Sequence, residues 1–230
     1  MMDNLQAAIA QMNQKCILMF SGGRDSTLAA IRLAAVGRPL ILATVTTEHL
    51  VLLENVCRRV REIRGLLPAD TLWLCVAAAA EPHGFTDHQT CLPCHHTYVA
   101  IAAQLADEMG SDTIGFGYTG YQSSWPEQTP YAVERLTMLL ARQGLKLLLP
   151  VYDIASKEAA IAELSRNGVS PAALEQKCLR RPTTTLPAEQ MRDHIDRWQQ
   201  SLANRLSSRG STRLDIRSRF LLRDLPIEDI

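Results

Sequence analysis

The chain has no surplus of charge: 24 Lys and Arg stand against 24 Asp and Glu over 230 residues. Nothing in that balance advertises a large nucleic-acid or membrane-facing surface, although it leaves room for a local basic patch. No apolar run reaches the length of a membrane span, so no membrane partner is expected. Residues 1–14 are polar-amphipathic and lack the basic-then-apolar order of a secretory leader, which makes the cytoplasm the expected location. There is no internal repeat and no low-complexity tract.

What is present is the composition of a globular protein. Hydrophobic residues make up 47% and charged residues 21%, enough apolar material for a sizeable core. The length suits one domain with a small appendage. Of the six cysteines, Cys16 and Cys75 fall in expected strands and Cys57 in an expected helix. There a free thiol behaves as a small hydrophobe and, in a reducing compartment, needs no partner.

Apolar runs and helical stripes alternate along the chain. Strands are expected at 15–20, 40–45, 71–76, 113–117 and 146–151, and helices at 3–13, from about 26 to 35, 51–65, 91–108, 131–143 and 157–166. The near-continuous apolarity of 40–45 suggests a sheet covered on both faces. The alternation predicts an α/β fold with a doubly wound, mostly parallel sheet, in which ligands bind beyond the carboxyl ends of the strands. After Pro182 the pattern changes to a polar helix at 188–206, a Ser/Arg/Gly joint at 207–212 and a strand-like 218–222. The main domain is therefore expected to be 1–182, with 183–230 as a short C-terminal extension.

Between the first strand and the first long helix lies Ser21-Gly22-Gly23-Arg24-Asp25-Ser26-Thr27. Two adjacent glycines let the backbone approach a ligand closely and reach dihedrals closed to other residues. Ser26 and Thr27 open a helix whose free N–H groups and positive dipole end face the turn. A pyrophosphate is the natural occupant. The stretch is neither a Walker loop closed by Lys-Ser/Thr nor a G-x-G-x-x-G fingerprint. A Gly-Gly turn with a Ser/Asp helix cap is the plain alternative.

A second constellation is Cys91-Leu92-Pro93-Cys94, two thiols near the start of a helix where the dipole favours thiolate. Cys178 lies far downstream. Three such cysteines suit a [4Fe–4S] cluster with one iron open, or zinc with a fourth ligand from His95, His96 or water. A redox pair, or half-buried thiols with no metal, are the other readings.

The 21–27 stretch resembles the SGGxDS loop of the N-type ATP pyrophosphatases, the PP-loop or adenine-nucleotide alpha-hydrolase-like superfamily. That resemblance implies ATP and Mg2+ as cofactors and cleavage between the α and β phosphates, leaving AMP on a substrate oxygen. The order of loop, CxxC opening a helix, Gly-rich strand end and distant cysteine is similar to the iron–sulfur tRNA thiolases of the 2-thiocytidine and 2-thiouridine type. Where those carry a His/Asp-rich signature, this chain has Tyr118-Thr119-Gly120-Tyr121-Gln122. Residues 94–178 look instead like the 7-cyano-7-deazaguanine synthases, on Ile114-Gly115, Ser124-Trp125-Pro126-Glu127 and Pro150-Val151-Tyr152-Asp153-Ile154-Ala155-Ser156-Lys157-Glu158-Ala159. Their downstream CxxCxxC zinc signature is replaced here by Pro182-Thr183-Thr184-Thr185, so the 91/94 pair would have to serve in its place.

Site roles follow from the resemblance. Ser21, Gly22, Gly23, Ser26 and Thr27 would hold the β and γ phosphates, and Asp25 would fix the loop or help position Mg2+. Arg24 and Lys157 would neutralise charge at the transferring phosphorus; a solvated first-turn lysine is the plain counterpart for Lys157. Adenine is expected near Val45, Thr46 and Gly117, with Tyr118, Tyr121, Gln122 and Trp125 as a stacking lid over a planar substrate or as simple loop anchors. Arginines at 205, 209, 213, 217, 219 and 223 offer a contact for tRNA or for a second copy in a homodimer, or a solvated face. The expected reaction is adenylation of a nucleobase or deazapurine oxygen, followed by displacement of AMP by ammonia or sulfur. Length, neutral charge and the 118–157 segment favour the deazapurine branch, which belongs to queuosine-type nucleoside metabolism. A non-catalytic ATP or AMP sensor and a structural zinc protein are the rival classes.

Overall fold

The computed structural model describes residues 15–78, 90–180, 186–208 and 213–225; the helix expected at 3–13, most of the loop at 80–90 and most of the joint at 207–212 lie outside them. The first half of the chain forms β1 (Cys16–Met19), α1 (Arg24–Ala35), β2 (Leu40–Thr46), β3 (Leu50–Val51), α2 (Leu53–Ile63), β4 (Leu72–Ala77) and α3 (Leu92–Met109). The second half forms β5 (Thr113–Gly115), α4 (Pro130–Arg142), β6 (Lys146–Leu148), α5 (Lys157–Arg166), β7 (Lys177–Cys178), α6 (Ala188–Ser207) and β8 (Asp215–Leu221).

Six strands make one sheet in the order β6-β5-β1-β2-β4-β8. All neighbours pair parallel except β8, which runs antiparallel to β4. This is the α/β, mostly parallel arrangement expected from the alternating pattern. The chain moves outward from β1 through β2 to β4, then returns to the other side of β1 for β5 and β6. The order therefore reverses between β1 and β5, the place where such sheets open a ligand crevice.

Successive strand residues feed two cores. Ile17, Met19, Ile41, Ala43, Val45, Leu74 and Val76 pack on the side of α3, α4 and α6, while Cys16, Leu18, Leu40, Leu42, Trp73 and Cys75 pack on the side of α1, α2 and α5. Burial on both faces accounts for the unbroken apolar runs in β1 and β2. The stretch after 183 supplies α6, which packs on α3 and α4, and β8, which adds to the sheet beside β4. A register break at Cys75/Val76 accompanies that pairing, and Phe220 lies over Trp73 with ring centroids 6.0 Å apart.

Several boundaries differ from the sequence reading: β5 and β6 stop at Gly115 and Leu148, and β8 starts at Asp215. The second helix begins at Leu53, not 51, because Leu50–Val51 pair antiparallel with Lys177–Cys178 and Leu52 turns the corner at φ 67°. Among the described residues, no helix is long and apolar enough to cross a membrane.

Candidate active site

At the reversal point the chain leaves β1 and turns directly into α1. The helix starts after Gly23, which offers no side-chain cap. Thr27 N–H is the first to bond back, to Gly23 O at 3.0 Å. Among the described residues, the N–H groups of Arg24, Asp25 and Ser26 find no acceptor. Ser21 Oγ lies 3.1 Å from Ser26 Oγ and accepts the Gly23 N–H at 3.3 Å. The Ser26 and Thr27 hydroxyls donate to Gly23 O at 3.2 and 2.7 Å.

Two of the three glycines expected to face a ligand are required by the protein itself. Gly22 has φ +79°, and a Cβ there would stand 2.7 Å from Leu174 O. A Cβ on Gly117 would stand 2.6 Å from Ser26 N, so only glycine lets the chain just after β5 press against the 21–27 loop.

A cavity of about 640 Å³ opens over this loop. Ser21, Gly23, Arg24, Asp25 and Ser26 form one wall, Ala43, Val45 and Leu50 a second, and His95, Tyr98, Tyr118, Tyr121, Gln122 and Trp125 a third. Lys157, the first residue of α5, and Gly117 also reach it. Three expected binding residues do not line this cavity. Gly22 and Thr27 are buried beneath the loop, and the Thr46 hydroxyl donates to Val76 O at 3.5 Å. Strand alternation is the reason for the last: Val45 faces the cavity, so its neighbour cannot.

Asp25 is tied to the opposite wall. The Tyr121 hydroxyl sits 2.8 Å from each of its carboxylate oxygens. Burial pushes the Asp25 carboxyl above its ordinary range, the Tyr121 hydrogen bond and the Arg24 charge oppose that rise, and Glu175 adds to it. Arg24 itself reaches back, donating to Pro171 O at 3.3 Å.

Sequence reasoning missed the segment at 170–176 that crosses behind the loop, and the residue that holds it. Arg59 of α2 is fully buried and donates to Gly22 O at 3.3 Å, to Ser170 O at 3.0 Å and to Ala172 O. It also meets Glu62 at 2.5 Å. The available signal was an arginine on the apolar face of α2, in step with Val56, Val60 and Ile63. From the same segment Gln176 donates to Val45 O at 2.9 Å and lines the cavity.

Cys91, Cys94 and Cys178 lie outside the lining of this cavity. Cys94 Sγ lies 3.5 Å from His49 Nε2, and Cys178 is paired with Leu50 in the short ribbon beside it. The Tyr98 hydroxyl is held well above its usual range by burial first, then by its proximity to Cys94, Cys91 and Cys178. Burial, reinforced by Cys178, pushes the Cys94 thiol up to about 11. Desolvation thus works against the thiolate expected at this helix start.

Of the two histidines expected nearby, His96 turns away toward α6. Its Nε2 lies 3.2 Å from Ser201 Oγ, and burial lowers its pKa to about 4. His95 Nδ1 instead meets the Tyr118 hydroxyl at 2.7 Å. His49, in the turn after β2, takes the place beside Cys94, which only the tertiary fold discloses. Among the described residues, no three His, Cys, Asp or Glu side chains form a group able to hold one metal ion.

No protein-family model and no curated protein matches the chain. Among solved structures it is similar to a 4-thiouridine synthetase in complex with RNA and bound ATP, at 16% identity and a TM-score of 0.57. The match covers 88% of this chain and 55% of that one, so this chain spans about half the length of that protein. Weaker likenesses are to the U34-tRNA thiolase NcsA from Methanococcus maripaludis with its [4Fe-4S] cluster (13% identity, TM-score 0.46, 85% of this chain and 71% of that one). Another is to the NMN synthetase from Francisella tularensis (10% identity, TM-score 0.46, 97% and 92%). At these identities the first likeness establishes the fold.

Proposed function

We propose that this chain is an ATP pyrophosphatase that adenylates an oxygen of a planar acceptor. One observation carries the reading: three N–H groups without acceptors, those of Arg24, Asp25 and Ser26, open with the Ser21 hydroxyl onto a cavity of about 640 Å³ at the point where the strand order reverses. Such an array suits a polyphosphate, and the volume suits a nucleotide with part of a second ligand. The fold it shares with a synthetase that binds ATP supports the same choice.

In this reading the triphosphate lies along 21–26, with Arg24 and Lys157 offsetting its charge, and adenine rests on Ala43, Val45 and Leu50. Asp25 would hold Mg2+, which supplies further charge neutralisation at the phosphates. The acceptor enters between Tyr118, Tyr121 and Trp125. Its oxygen attacks the α-phosphorus, the bond from that phosphorus to the α–β bridging oxygen breaks, and pyrophosphate leaves. A nucleophile then adds at the activated carbon, the C–O bond breaks, and AMP departs with the acceptor's oxygen. Activation is useful because a carbonyl or carboxylate oxygen leaves poorly and AMP leaves well.

Two acceptors fit this scheme. The sequence likeness of 118–157 to the deazaguanine synthases favours a deazapurine carboxylate with ammonia. The placement of Cys91, Cys94 and Cys178 within electrostatic reach of Tyr98 favours sulfur delivered to a tRNA base. In that second reading the three thiols would hold a [4Fe–4S] cluster, whose chemistry there is to bind sulfur. Protein purified without oxygen and assayed for iron, acid-labile sulfide and zinc separates the two. Iron with sulfide in about equal amounts, lost in Cys94→Ser, supports thiolation; absence of both removes it. Pyrophosphate release that depends on one acceptor tests the shared chemistry, and silence with every acceptor while ATP binds would overturn it.

A further inference from the structure

The turn that anchors Asp25 through Tyr121 also carries a side chain whose polarity is fixed from the backbone outward. Thr119 N–H donates to the Gln128 amide at 2.9 Å. A backbone N–H only donates, so the atom it meets is Oε1, and the other end of that amide is the NH2 group. Gln128 NH2 in turn donates to Gln122 at 3.0 Å, which fixes the receiving atom as Oε1. The Thr119 hydroxyl donates to the same oxygen at 3.2 Å. Thr119 and Gln128 are buried, so water does not compete for these bonds.

Gln122 lines the cavity, and its Nε2 has no partner among the described residues, nor is it one of the buried atoms left unbonded. The NH2 group is therefore an accessible donor of fixed sense. The turn that carries it is firmly seated: Tyr121 N–H donates to Ile154 O at 3.2 Å, and a Cβ on Gly120 would stand 2.8 Å from Tyr152 O. The preceding wall, Tyr118, and the following one, Trp125, supply flat faces.

We infer that Gln122 is the specificity determinant of the acceptor subsite, selecting a planar base that carries a carbonyl oxygen over its amino counterpart. This rests on the proposal that a planar acceptor enters the cavity. A carbonyl oxygen has two lone pairs; one accepts the Gln122 N–H while the other stays free to attack phosphorus. Its location suits that task, because the adjacent Tyr121 touches Asp25 in the phosphate loop. An amino group in the same place would set N–H against N–H and leave both donors unpaired, a mismatch that a hydrogen-bonding site rejects strongly.

The test reads binding without turnover. Saturation-transfer NMR titrations, with α,β-methylene-ATP saturating, compare 1-methyluracil with 1-methylcytosine and hypoxanthine with adenine. Wild-type protein is expected to prefer the oxo member of each pair at least tenfold. Gln122→Glu keeps both incoming hydrogen bonds but turns a carboxylate oxygen to the cavity, and should reverse the order. Gln128→Leu releases the Gln122 amide to rotate, and should bring each ratio within threefold. Analogue affinity within twofold of wild type shows that both variants are folded. No preference in the wild type, a preference for amino bases, or an unchanged order in Gln122→Glu overturns the inference. Loss of all base binding while the analogue stays bound overturns it alone; failure of the analogue to bind overturns the nucleotide reading and this inference with it.

Discussion

Replacing Arg59 by Met tests how the 21–27 loop is held. Methionine keeps the unbranched stem and loses the guanidinium, so packing changes little and the hydrogen bonds go. Three carbonyls, those of Gly22, Ser170 and Ala172, then lack their donor. Each unpaired buried acceptor costs about 1–3 kcal/mol. Ala172 is exposed, so its carbonyl regains water and the sum falls toward the lower half. Glu62 is 22% exposed and keeps the Ser170 N–H at 2.5 Å, so it is not stranded. The expected loss is about 3–5 kcal/mol, the range for breaking a buried charged contact from one side. In urea unfolding, with a slope of about 2 kcal/mol per M, the midpoint should fall by about 1.5–2.5 M. Because the same guanidinium joins the loop to the 170–176 segment, ATP affinity measured by calorimetry should fall at least tenfold. A midpoint within about 0.5 M of wild type, or an unchanged ATP affinity, would refute the clamp.

Other perturbations reach different parts of the account. Ser26→Ala and Asp25→Asn should each lower acceptor-dependent pyrophosphate release by about a hundredfold with unfolding midpoints near wild type, the loss usual for one stabilising group at a reacting centre. Wild-type turnover in both would remove the loop from the chemistry. Gly117→Ala should cost more than about 2 kcal/mol in stability, since the new methyl meets backbone at Ser26 rather than a side chain that could move; a variant as stable as the parent would contradict that contact. Glu163 is held below its usual carboxyl range chiefly by its hydrogen bonds with Arg32, at 2.6 and 2.7 Å. A depressed carboxyl contributes stability above its unfolded value and loses it as pH falls through the folded value. Glu163→Gln should therefore be about 1.5–3 kcal/mol less stable than wild type at pH 7, the range for a hydrogen bond to a charged group, and the gap should close as pH falls through the folded value. A gap that does not close with acid would rule out the linkage.

Legibility in the sequence tracked how local the cause was. Ser21 to Ser26 could be recognised because strand, turn and helix start lie within a dozen residues, and the orphan N–H groups follow from helix geometry itself. The parallel sheet was legible for the same reason, each strand being a short apolar run between helices. Arg59 was not, because its partners at Gly22, Ser170 and Ala172 come from distant parts of the chain. The antiparallel seat of β8 beside β4 is likewise a contact across more than a hundred residues. Cys94 shows a different failure: the CxxC at a helix start was read correctly as a position, but its protonation depends on burial that only packing decides. His96 shows it again, since adjacency to Cys94 in sequence turned out to mean opposite faces of one helix, with Ser201 as its partner.

The most direct test of the central claim is turnover of ATP–Mg in 18O-enriched water by protein purified without oxygen. Unmodified tRNA with sulfide and a carboxy-deazaguanine with ammonium would be supplied in separate reactions. Attack by an acceptor oxygen predicts pyrophosphate release in only one of the two, with AMP that carries no solvent label. AMP bearing 18O from water, or no pyrophosphate in either reaction while ATP remains bound, would contradict adenylation of an acceptor.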